Sequence, residues 1–303
     1  MKTYIIGSGG VGGYFGGLLA KAGNDVTFLA RNEHFDQISK SGLQVKNVEE
    51  DFVVNPAKVI RSIDEMDNPD FIFFAVKTFD SVGIAKELDK VTSDKTTIIT
   101  FQNGINNDEI LSQNISKGKV YPGLAFVIST KTNPGIINQT GGFRKLIFGN
   151  RSRTCIKELH HIEQMMKESG IDATYSDNIT RDLWRKYIFI NAFSGMTAIC
   201  RSNIGKVRDD AVAFSLYEDC VKESISVAKK MKIDLPDSIF EDVIKISTST
   251  ASDSKSSLLH DIENNRNNEI EVLNGTLVKL AEKYDVDVPI NKMIYGAIKL
   301  LSG

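Results

Sequence analysis

The sequence predicts two domains: a doubly wound α/β sheet over residues 1–176 and an all-helical domain over residues 177–303. Three observations support this prediction. Residues 1–31 follow the order strand, glycine-rich turn, helix, strand. Short apolar runs then alternate with amphipathic stretches, which is typical of parallel strands joined by helices. Beyond residues 176–178 only helical patterns occur, and 303 residues are enough for two hydrophobic cores.

A glycine-rich turn lies between the first strand, residues 4–6, and a helix over residues 14–22. Its residues are Gly7, Ser8, Gly9, Gly10, Val11 and Gly12. Between a strand and a helix, the first glycine of this pattern permits a tight turn, the second admits a pyrophosphate close to the backbone, and the third allows close helix packing. The helix N-terminus adds free N–H groups and a partial positive charge. We predict a Rossmann-type dinucleotide site; the alternative is a glycine turn that binds nothing.

The end of the second strand, residues 25–30, indicates which dinucleotide is bound. NAD enzymes carry Asp or Glu about 20 residues beyond the glycines to hold the ribose 2′-hydroxyl, whereas NADP enzymes place a cation there for the 2′-phosphate. In this chain Arg31 and Asn32 follow the strand, and both can donate hydrogen bonds to a phosphate. We therefore predict NADP (NADPH) as the cofactor. The alternative is that Arg31 is a solvated loop charge, and Glu33 weakens the prediction slightly.

Composition and charge exclude several classes of protein. Hydrophobic residues make up 41% of the chain and charged residues 25%, as in ordinary globular proteins. A net charge of −2 gives no reason to expect nucleic acid, and no apolar run is long enough to span a membrane. Cys155, Cys200 and Cys220 are widely spaced, which favours free thiols in a reducing compartment. We expect a cytoplasmic protein, and the histidine spacing indicates no metal site.

The other elements of the first domain follow from apolar runs and turn signals. Strands are predicted within residues 43–54 and at residues 70–76, 96–101, 121–128, 145–148 and 173–175, with a Pro-Gly turn at 134–135. Helices are predicted over residues 33–41, 63–66, 80–91, 107–111 and 154–169. The apolar runs at 70–76 and 96–101 suit fully buried parallel strands, and antiparallel strands are expected at one edge.

The second domain is predicted to be all-helical. Its helices are expected over residues 181–199, 211–232, 236–249, 256–284 and 290–301. The serine-rich stretch 247–257 is either a flexible linker or an active-site loop with hydroxyl groups at a helix start.

Two polar residues follow predicted strand ends in the first domain. Lys77 comes after the strand at 70–76, and Asn103 after the strand at 96–101. Because ligands of doubly wound sheets lie off the carboxyl ends of the strands, both residues are expected beside the cofactor. Each residue alone could equally be an ordinary loop residue.

Lys186 lies in a predicted helix that is apolar almost all round. A cation in such a helix must extend to solvent, pair with an acid, or serve a cleft. Partial burial would lower the pKa of this lysine toward a value useful for proton transfer. Glu269 is expected on another helix, where by itself it would pass for a solvated charge.

Together these motifs resemble the ketopantoate reductase (2-dehydropantoate 2-reductase) family over essentially the whole chain. The matching segments, in order, are residues 7–12, Arg31, 76–77, 102–104, 183–186, 256–261, Glu269 and 274–275. The resemblance implies NADPH-dependent reduction of ketopantoate to pantoate in pantothenate and coenzyme A biosynthesis, by an oxidoreductase acting on CH–OH donors. The expected partner is a small 2-oxo acid, with no nucleic acid or membrane, and a homodimer is allowed for.

The resemblance also implies roles for individual residues. Arg31 and Lys77 would hold the adenosine end of NADP or its phosphates, and Asn103 would lie near the nicotinamide and the substrate. Lys186 would be the general acid for the keto oxygen. Glu269 would complete the catalytic pair and orient substrate or cofactor hydroxyls. Ser257 would bind the substrate.

The chain departs from the family on the helix that carries the lysine. The family has asparagines four and eight residues after the lysine, where this chain has Ile190 and Ser194. Both positions share the lysine's face, whereas Asn191 lies about 140° round the helix and could replace them only through a bulge. A further family asparagine falls on Ile204, beside Asn203. Ser194 and Asn191 are kept as substrate candidates, and a different 2-oxo acid or a small ketone is the alternative substrate.

Two other functions share parts of this pattern. A non-catalytic NADP(H) sensor would need no acid such as Lys186 with Glu269. A hydroxyacid dehydrogenase of the 6-phosphogluconate type should lack the pair Lys77 and Asn103.

Overall fold

The computed structural model describes residues 1–301 and divides into two compact units, Met1–Ile179 and Thr180–Gly303. The first unit is a sheet covered by helices, and the described residues of the second unit form helices and loops. The predicted fold class, a Rossmann-type doubly wound sheet followed by a helical region, is confirmed.

The first unit contains one ten-stranded sheet. Its strands are β1 (Thr3–Ile6), β2 (Val26–Leu29), β3 (Leu43–Lys46), β4 (Phe52–Val54), β5 (Lys58–Ile60), β6 (Phe71–Phe74), β7 (Thr97–Thr100), β8 (Lys119–Asn133), β9 (Ile136–Gly149) and β10 (Asp172–Ser176). They are ordered β4-β3-β9-β8-β7-β6-β1-β2-β5, with β10 beside β9. The neighbours from β5 to β8 are parallel, and the antiparallel pairs β8–β9 and β3–β4 lie toward the other end, as expected. Strand β5 was not predicted from the sequence, because none of its three residues is fully buried.

Helices cover both faces of this sheet. They are α1 (Gly10–Lys21), α2 (Asn32–Ser41), α3 (Ser81–Leu88), α4 (Asn107–Ser112) and α5 (Lys157–Glu168). Neighbouring residues of β1 enter different cores: Ile5 packs in a cluster with Phe28, and Ile6 packs in another with Ile72. A strand buried on both faces needs apolar side chains at every position, which explains its continuous apolar run.

Helix α1 approaches β1 so closely that glycine is required at the contact. A Cβ on Gly12 would lie 2.2 Å from the backbone oxygen of Gly7, and one on Gly16 would lie 2.7 Å from the side chain of Ile5. Gly7 itself has a φ of +103°, in the region that favours glycine. The glycine pattern therefore brings the helix start directly against the end of the strand.

The second unit is helical, as predicted. Its helices are α6 (Ile179–Ile199), α7 (Ile204–Asp209), α8 (Ala211–Lys230), α9 (Ile239–Ser249), α10 (Ser257–Glu263), α11 (Asn274–Tyr284) and α12 (Pro289–Leu301). Helix α6 is buried or half-buried at every residue except Arg185. Helix α7 was not predicted, because six residues carry too short a pattern.

The single helix expected over residues 256–284 is wrong. Residues 264–273 form a loop between α10 and α11. Asn264 ends α10, and Asn265 adopts a left-handed φ of +51°. Asparagine favours such conformations and helix ends over helix interiors, because its side chain competes for backbone hydrogen bonds. Glu269 consequently lies in a loop, not on a helix.

The serine-rich stretch is tied to α7 and is not a free linker. Helix α9 already includes its first residues. The guanidinium of Arg208 donates hydrogen bonds to the carbonyl of Thr248 at 2.8 Å and to the hydroxyl of Ser252 at 2.6 Å. The N–H of Gly205 donates to the carbonyl of Ser252 at 2.9 Å. Side-chain and backbone hydrogen bonds therefore hold this loop against a neighbouring helix.

Three further properties concern residues 1–301. All three cysteines are free thiols, as predicted. None of the helices in this range has the length and apolar character needed to cross a membrane. Within the same range, no cluster of three or more His, Cys, Asp or Glu residues is arranged to hold a metal ion.

We predict opposite effects on stability for two glycine-to-alanine substitutions. Gly12→Ala places a methyl group against a backbone oxygen that cannot move freely, so the free energy of unfolding should fall by about 1–3 kcal/mol. Gly83→Ala, at an exposed position of α3 with no atom within 4 Å of the new Cβ, should raise it by about 0.5–1 kcal/mol. Urea denaturation without cofactor measures both. An unchanged Gly12→Ala variant would contradict the close packing.

Candidate functional site

The carboxyl ends of four neighbouring strands form one edge of the sheet. The register aligns Ile6 of β1 with Leu29 of β2 and Phe74 of β6, and Phe74 with Thr100 of β7. The candidate residues that follow these ends are Gly7, Arg31, Lys77 and Asn103. The structure thus brings the glycine turn and three predicted site residues to one edge, where ligands of such sheets bind.

The glycine turn has the shape needed to receive a pyrophosphate. Gly9 is the N-cap of α1, and no atom lies within 4 Å of the place where its Cβ would be. Ser8 is buried, and its hydroxyl donates a 2.7 Å hydrogen bond to the carbonyl of Leu29. Ser129 donates a 3.0 Å hydrogen bond to the carbonyl of Gly10. The turn is anchored on both sides while open space remains at Gly9, so a dinucleotide fits the residues present.

The two cations at this edge are exposed. Arg31 is the N-cap residue of α2 and has an extended backbone, one residue beyond the buried Ala30. Lys77 is the N-cap of the short 3₁₀ turn Thr78–Asp80. Both side chains are exposed to solvent.

Gln102 joins the two loops that carry Lys77 and Asn103. Its side-chain N–H groups donate 2.8 Å hydrogen bonds to the carbonyl of Val76 and to the hydroxyl of Ser81. The carbonyl of Asn103 accepts a 2.8 Å hydrogen bond from the side chain of Asn107. We did not assign this bridging role from the sequence, although a polar residue directly after an apolar strand was the available signal.

In the second unit, the negative charge of Glu269 acts on the ammonium group of Lys186. Lys186 is half-buried on α6, and Glu269 is 9% exposed in the loop after α10. Burial lowers the pKa of the Lys186 ammonium to about 8, while the negative charge of Glu269 opposes this shift. The lysine therefore remains largely protonated at neutral pH and can still release its proton.

Tyr187 connects the helix of Lys186 to the loop of Glu269. Its side chain is fully buried, and its hydroxyl donates a 2.7 Å hydrogen bond to the carbonyl of Leu273, at the end of that loop. Residue 187 follows the lysine directly, so this bond restrains both partners of the pair.

The serines at the start of α10 have different environments. Ser256 is buried as the N-cap, and its hydroxyl accepts a 3.1 Å hydrogen bond from the N–H of Leu259. Thr197 donates to the same oxygen at 2.8 Å. Ser257 is exposed at the first helical position. Because residue 197 lies about three turns beyond Lys186 on the same face of α6, α10 begins beside that face.

The two remaining substrate candidates are buried. Asn191 has no exposed surface, and its side-chain N–H groups donate to Asn291 at 2.7 Å and to Ser224 at 3.2 Å. This side chain joins α6 to α8 and α12, which is a structural role, and we leave it out of the proposed substrate site. Ser194 is 1% exposed, and its backbone carbonyl accepts a 3.3 Å hydrogen bond from the hydroxyl of Thr197.

Sequence profiles of one family match both units. The profile described as "Ketopantoate reductase PanE/ApbA" matches residues 3–153, and "Ketopantoate reductase PanE/ApbA C terminal" matches residues 178–302. The uncharacterized oxidoreductase YkpB of Bacillus subtilis (strain 168) is 28% identical over 300 residues, covering 99% of this chain and 98% of its own. The 2-dehydropantoate 2-reductase of Pyrococcus horikoshii is 27% identical over 302 residues, covering 99% and 97%.

Solved structures share the fold of the whole chain. The PanE/ApbA family ketopantoate reductase of Ralstonia eutropha JMP134 has a TM-score of 0.92 and 25% identity, covering 100% of this chain and 98% of its own. D-mandelate dehydrogenase, solved with NADH and anilino(oxo)acetate, has a TM-score of 0.90 and 23% identity, with coverage of 100% and 98%. At that identity the second likeness concerns the fold alone.

Proposed function

The chain belongs to the ketopantoate reductase family of oxidoreductases, and from this premise we propose that it reduces 2-dehydropantoate (ketopantoate) to pantoate with NADPH. The observation that carries the proposal is Lys186, a half-buried lysine with a lowered pKa and the charge of Glu269 beside it. In the proposed division of roles, the sheet unit binds the cofactor and the helical unit supplies the acid.

The cofactor would be held by the edge formed by β2, β1, β6 and β7. Backbone N–H groups at the start of α1 would receive the pyrophosphate, and Lys77 would add a positive charge. Arg31 would hold the 2′-phosphate, and this contact would favour NADPH over NADH. D-mandelate dehydrogenase has the same fold and was solved with NADH, so the fold alone does not select the cofactor. Arg31 supports NADPH here.

The proposed reaction divides hydride and proton between cofactor and protein. When bound, the nicotinamide supplies the hydride. Lys186 protonates the keto oxygen as negative charge develops on it, and the ammonium also stabilises that charge. Glu269 favours the protonated form of Lys186, because its negative charge opposes the effect of burial on the lysine pKa. The substrate would be oriented by Asn103 and Ser257. The carboxylate of Glu269 would bind hydroxyl groups of the substrate or the cofactor.

On α6 the chain departs from the family's asparagines, and these departures favour a second class of substrate. Ile190, half-buried on the face of Lys186, and Ser194 occupy the positions where the family resemblance calls for asparagines. A pocket with fewer amide groups would bind a less hydroxylated substrate better, because an unpaired substrate hydroxyl pays a desolvation cost. The alternative is therefore another 2-oxo acid or a small ketone, reduced by the same residues.

A substrate panel tests the proposed function. Purified full-length protein would be assayed by NADPH absorbance with ketopantoate, pyruvate, 2-oxoisovalerate and an aromatic 2-oxo acid. We expect kcat/KM to be highest for ketopantoate. A clear preference for an unhydroxylated 2-oxo acid would establish the alternative, and no turnover with any of them, despite NADPH binding, would reject both.

Two further expectations accompany this function. The free cysteines agree with a reducing, cytoplasmic setting. A homodimer is also compatible with the proposal, and size-exclusion chromatography with light scattering would determine the assembly.

We predict that Arg31→Ala separates the two nicotinamide cofactors. Loss of charge-assisted hydrogen bonds to the 2′-phosphate should cost about 1.5–3 kcal/mol, so NADPH should bind well over tenfold more weakly while NADH affinity stays nearly constant. Fluorescence titration of the reduced nicotinamide measures both dissociation constants. Lys40→Ala, at an exposed lysine in the last turn of the same helix, is the matched control. Equal losses for both cofactors would contradict the assignment of Arg31.

We predict that Lys186→Ala lowers kcat by about 10²–10⁴-fold, the usual contribution of a general acid, with little change in NADPH affinity. In the wild type, kcat/KM for reduction should fall as the pH rises through about 8, because the protonated lysine of the free enzyme is the active form. Steady-state kinetics across this range would measure both effects.

Two variants separate acid catalysis from substrate binding. Lys186→Arg keeps a positive charge but does not release its proton in this pH range, so its kcat should stay low. Lys230→Ala, at an exposed lysine of α8, should behave as the wild type. If Lys186→Ala instead raised KM and left kcat unchanged, the lysine would only bind the substrate.

A further inference from the structure

We propose that His34 is a positioning residue for the dinucleotide, because its imidazole holds the Ser8 carbonyl and thereby sets the direction of the Gly9 N–H. This inference rests on the proposed function only in requiring a nicotinamide dinucleotide at the glycine turn; the identity of the 2-oxo acid does not enter. From the sequence, His34 showed only that it has no partner at metal-ligand spacing.

The imidazole of His34 bridges two backbone segments. His34 lies on α2, three residues after Arg31, and is 6% exposed. Its Nε2 is 2.9 Å from the carbonyl oxygen of Ser8 in the glycine turn. Its Nδ1 accepts a 2.8 Å hydrogen bond from the N–H of Gly135, in the turn between β8 and β9. Both ring nitrogens are therefore used, on opposite sides of the ring.

These contacts determine the protonation state of the ring. The N–H of Gly135 can only donate, so Nδ1 must be the unprotonated nitrogen, and Nε2 carries the hydrogen donated to Ser8. The ring is consequently neutral. Burial lowers the pKa of His34 below its ordinary value of 6.5, the Ser8 carbonyl opposes this effect, and the charge of Lys131 on β8 adds to it. Among the described residues, neither the glycine turn nor the Pro134–Gly135 segment adds a titratable side chain.

The contact to Ser8 matters because of peptide geometry. In a planar trans peptide, the carbonyl and the next N–H point in opposite directions. A Ser8 carbonyl held by His34 therefore turns the Gly9 N–H away from the ring. Ser8 is also held through its hydroxyl, at 2.7 Å from the carbonyl of Leu29. The side where a Cβ of Gly9 would lie is open, which leaves room for an anion beside this peptide.

The role of His34 differs from that of Arg31 in a measurable way. The pyrophosphate occurs in both NADPH and NADH, whereas the 2′-phosphate occurs only in NADPH. A residue that orients the glycine turn should thus affect both cofactors equally. A residue that binds the 2′-phosphate should affect NADPH alone.

Two substitutions of His34 test this role on the full chain. The side-chain oxygen of asparagine can replace Nδ1 toward Gly135, but its amide is too short to reach Ser8. Glutamine can extend an N–H to the place of Nε2. We expect His34→Asn to weaken NADPH and NADH by a similar factor of about three to ten, the value of one net hydrogen bond, and His34→Gln to restore most of the affinity. Nicotinamide fluorescence titrations, with Arg31→Ala as the comparison, measure these dissociation constants.

A pH series on the wild type provides an independent measurement. Protonation would place a hydrogen on Nδ1 against the N–H of Gly135, so the Gly135 contact, one of the two that hold the ring in place, is retained above pH 6.5 and lost as the pH falls through the lowered pKa of His34. NADH affinity of the wild type should fall as the pH is lowered below 6.5, whereas that of His34→Gln should change less. NADH is chosen because it lacks a 2′-phosphate, which itself titrates near this pH.

The outcomes separate this inference from the proposed function. If His34→Asn lowered the melting temperature but left both dissociation constants unchanged, His34 would be a packing residue and the inference would be overturned. A wild type that binds neither cofactor would overturn the inference and the proposed function together. Cofactor binding with the expected His34 pattern, but without reduction of any 2-oxo acid, would support the inference and reject only the proposed reaction.

Discussion

The close approach of backbone to backbone at the glycine turn is the constraint on which the first unit depends. A Cβ on Gly7 would lie 2.5 Å from the backbone of Ala75, beyond the end of β6, and a Cβ on Gly10 would lie 2.1 Å from the carbonyl of Ser129 on β8. The turn is thus packed against two strands as well as its own helix. Because backbone atoms cannot yield as a flexible side chain does, glycine at these positions determines where α1 begins and where its N–H groups point.

The parallel register of the strands places the glycine turn beside the other candidate cofactor residues. Four strands end in one row, so residues far apart in sequence emerge side by side, and their charged side chains remain exposed. Lys186 has the opposite environment: burial weakens its hold on a proton, and Glu269 moderates that effect. Exposed cations suit the binding of a highly charged dinucleotide, whereas a partly buried cation suits proton transfer. Each unit therefore supplies the type of charge that its proposed role needs.

A buried polar network explains why one asparagine on α6 is structural. The carbonyl oxygen of Asn291 accepts hydrogen bonds from Asn191 at 2.7 Å and from Asn274 at 2.9 Å, and its amide donates to Glu223 at 2.7 Å. Four helices, α6, α8, α11 and α12, meet through these contacts. These hydrogen bonds align the four helices, because breaking one of them would leave a further buried polar atom unpaired; the Oδ1 atoms of Asn191 and Asn274 already have no hydrogen-bond partner. Helical periodicity had already placed Asn191 away from the face of Lys186.

Local sequence determined the fold class, the glycine turn and the order of its elements, because strand, turn and helix signals act over a few residues. It also identified Arg31, Lys77 and Asn103 as residues that follow strand ends, and the structure brings them to one edge. Only the tertiary structure decided that Gln102 joins two loops, that Glu269 lies in a loop beside Lys186, and that His34 bridges Ser8 and Gly135. These arrangements depend on contacts between distant parts of the chain, up to 101 residues apart for His34 and Gly135. Residue type and periodicity do not indicate which distant residues will be in contact, because those contacts form only when the complete sheet and helices pack together.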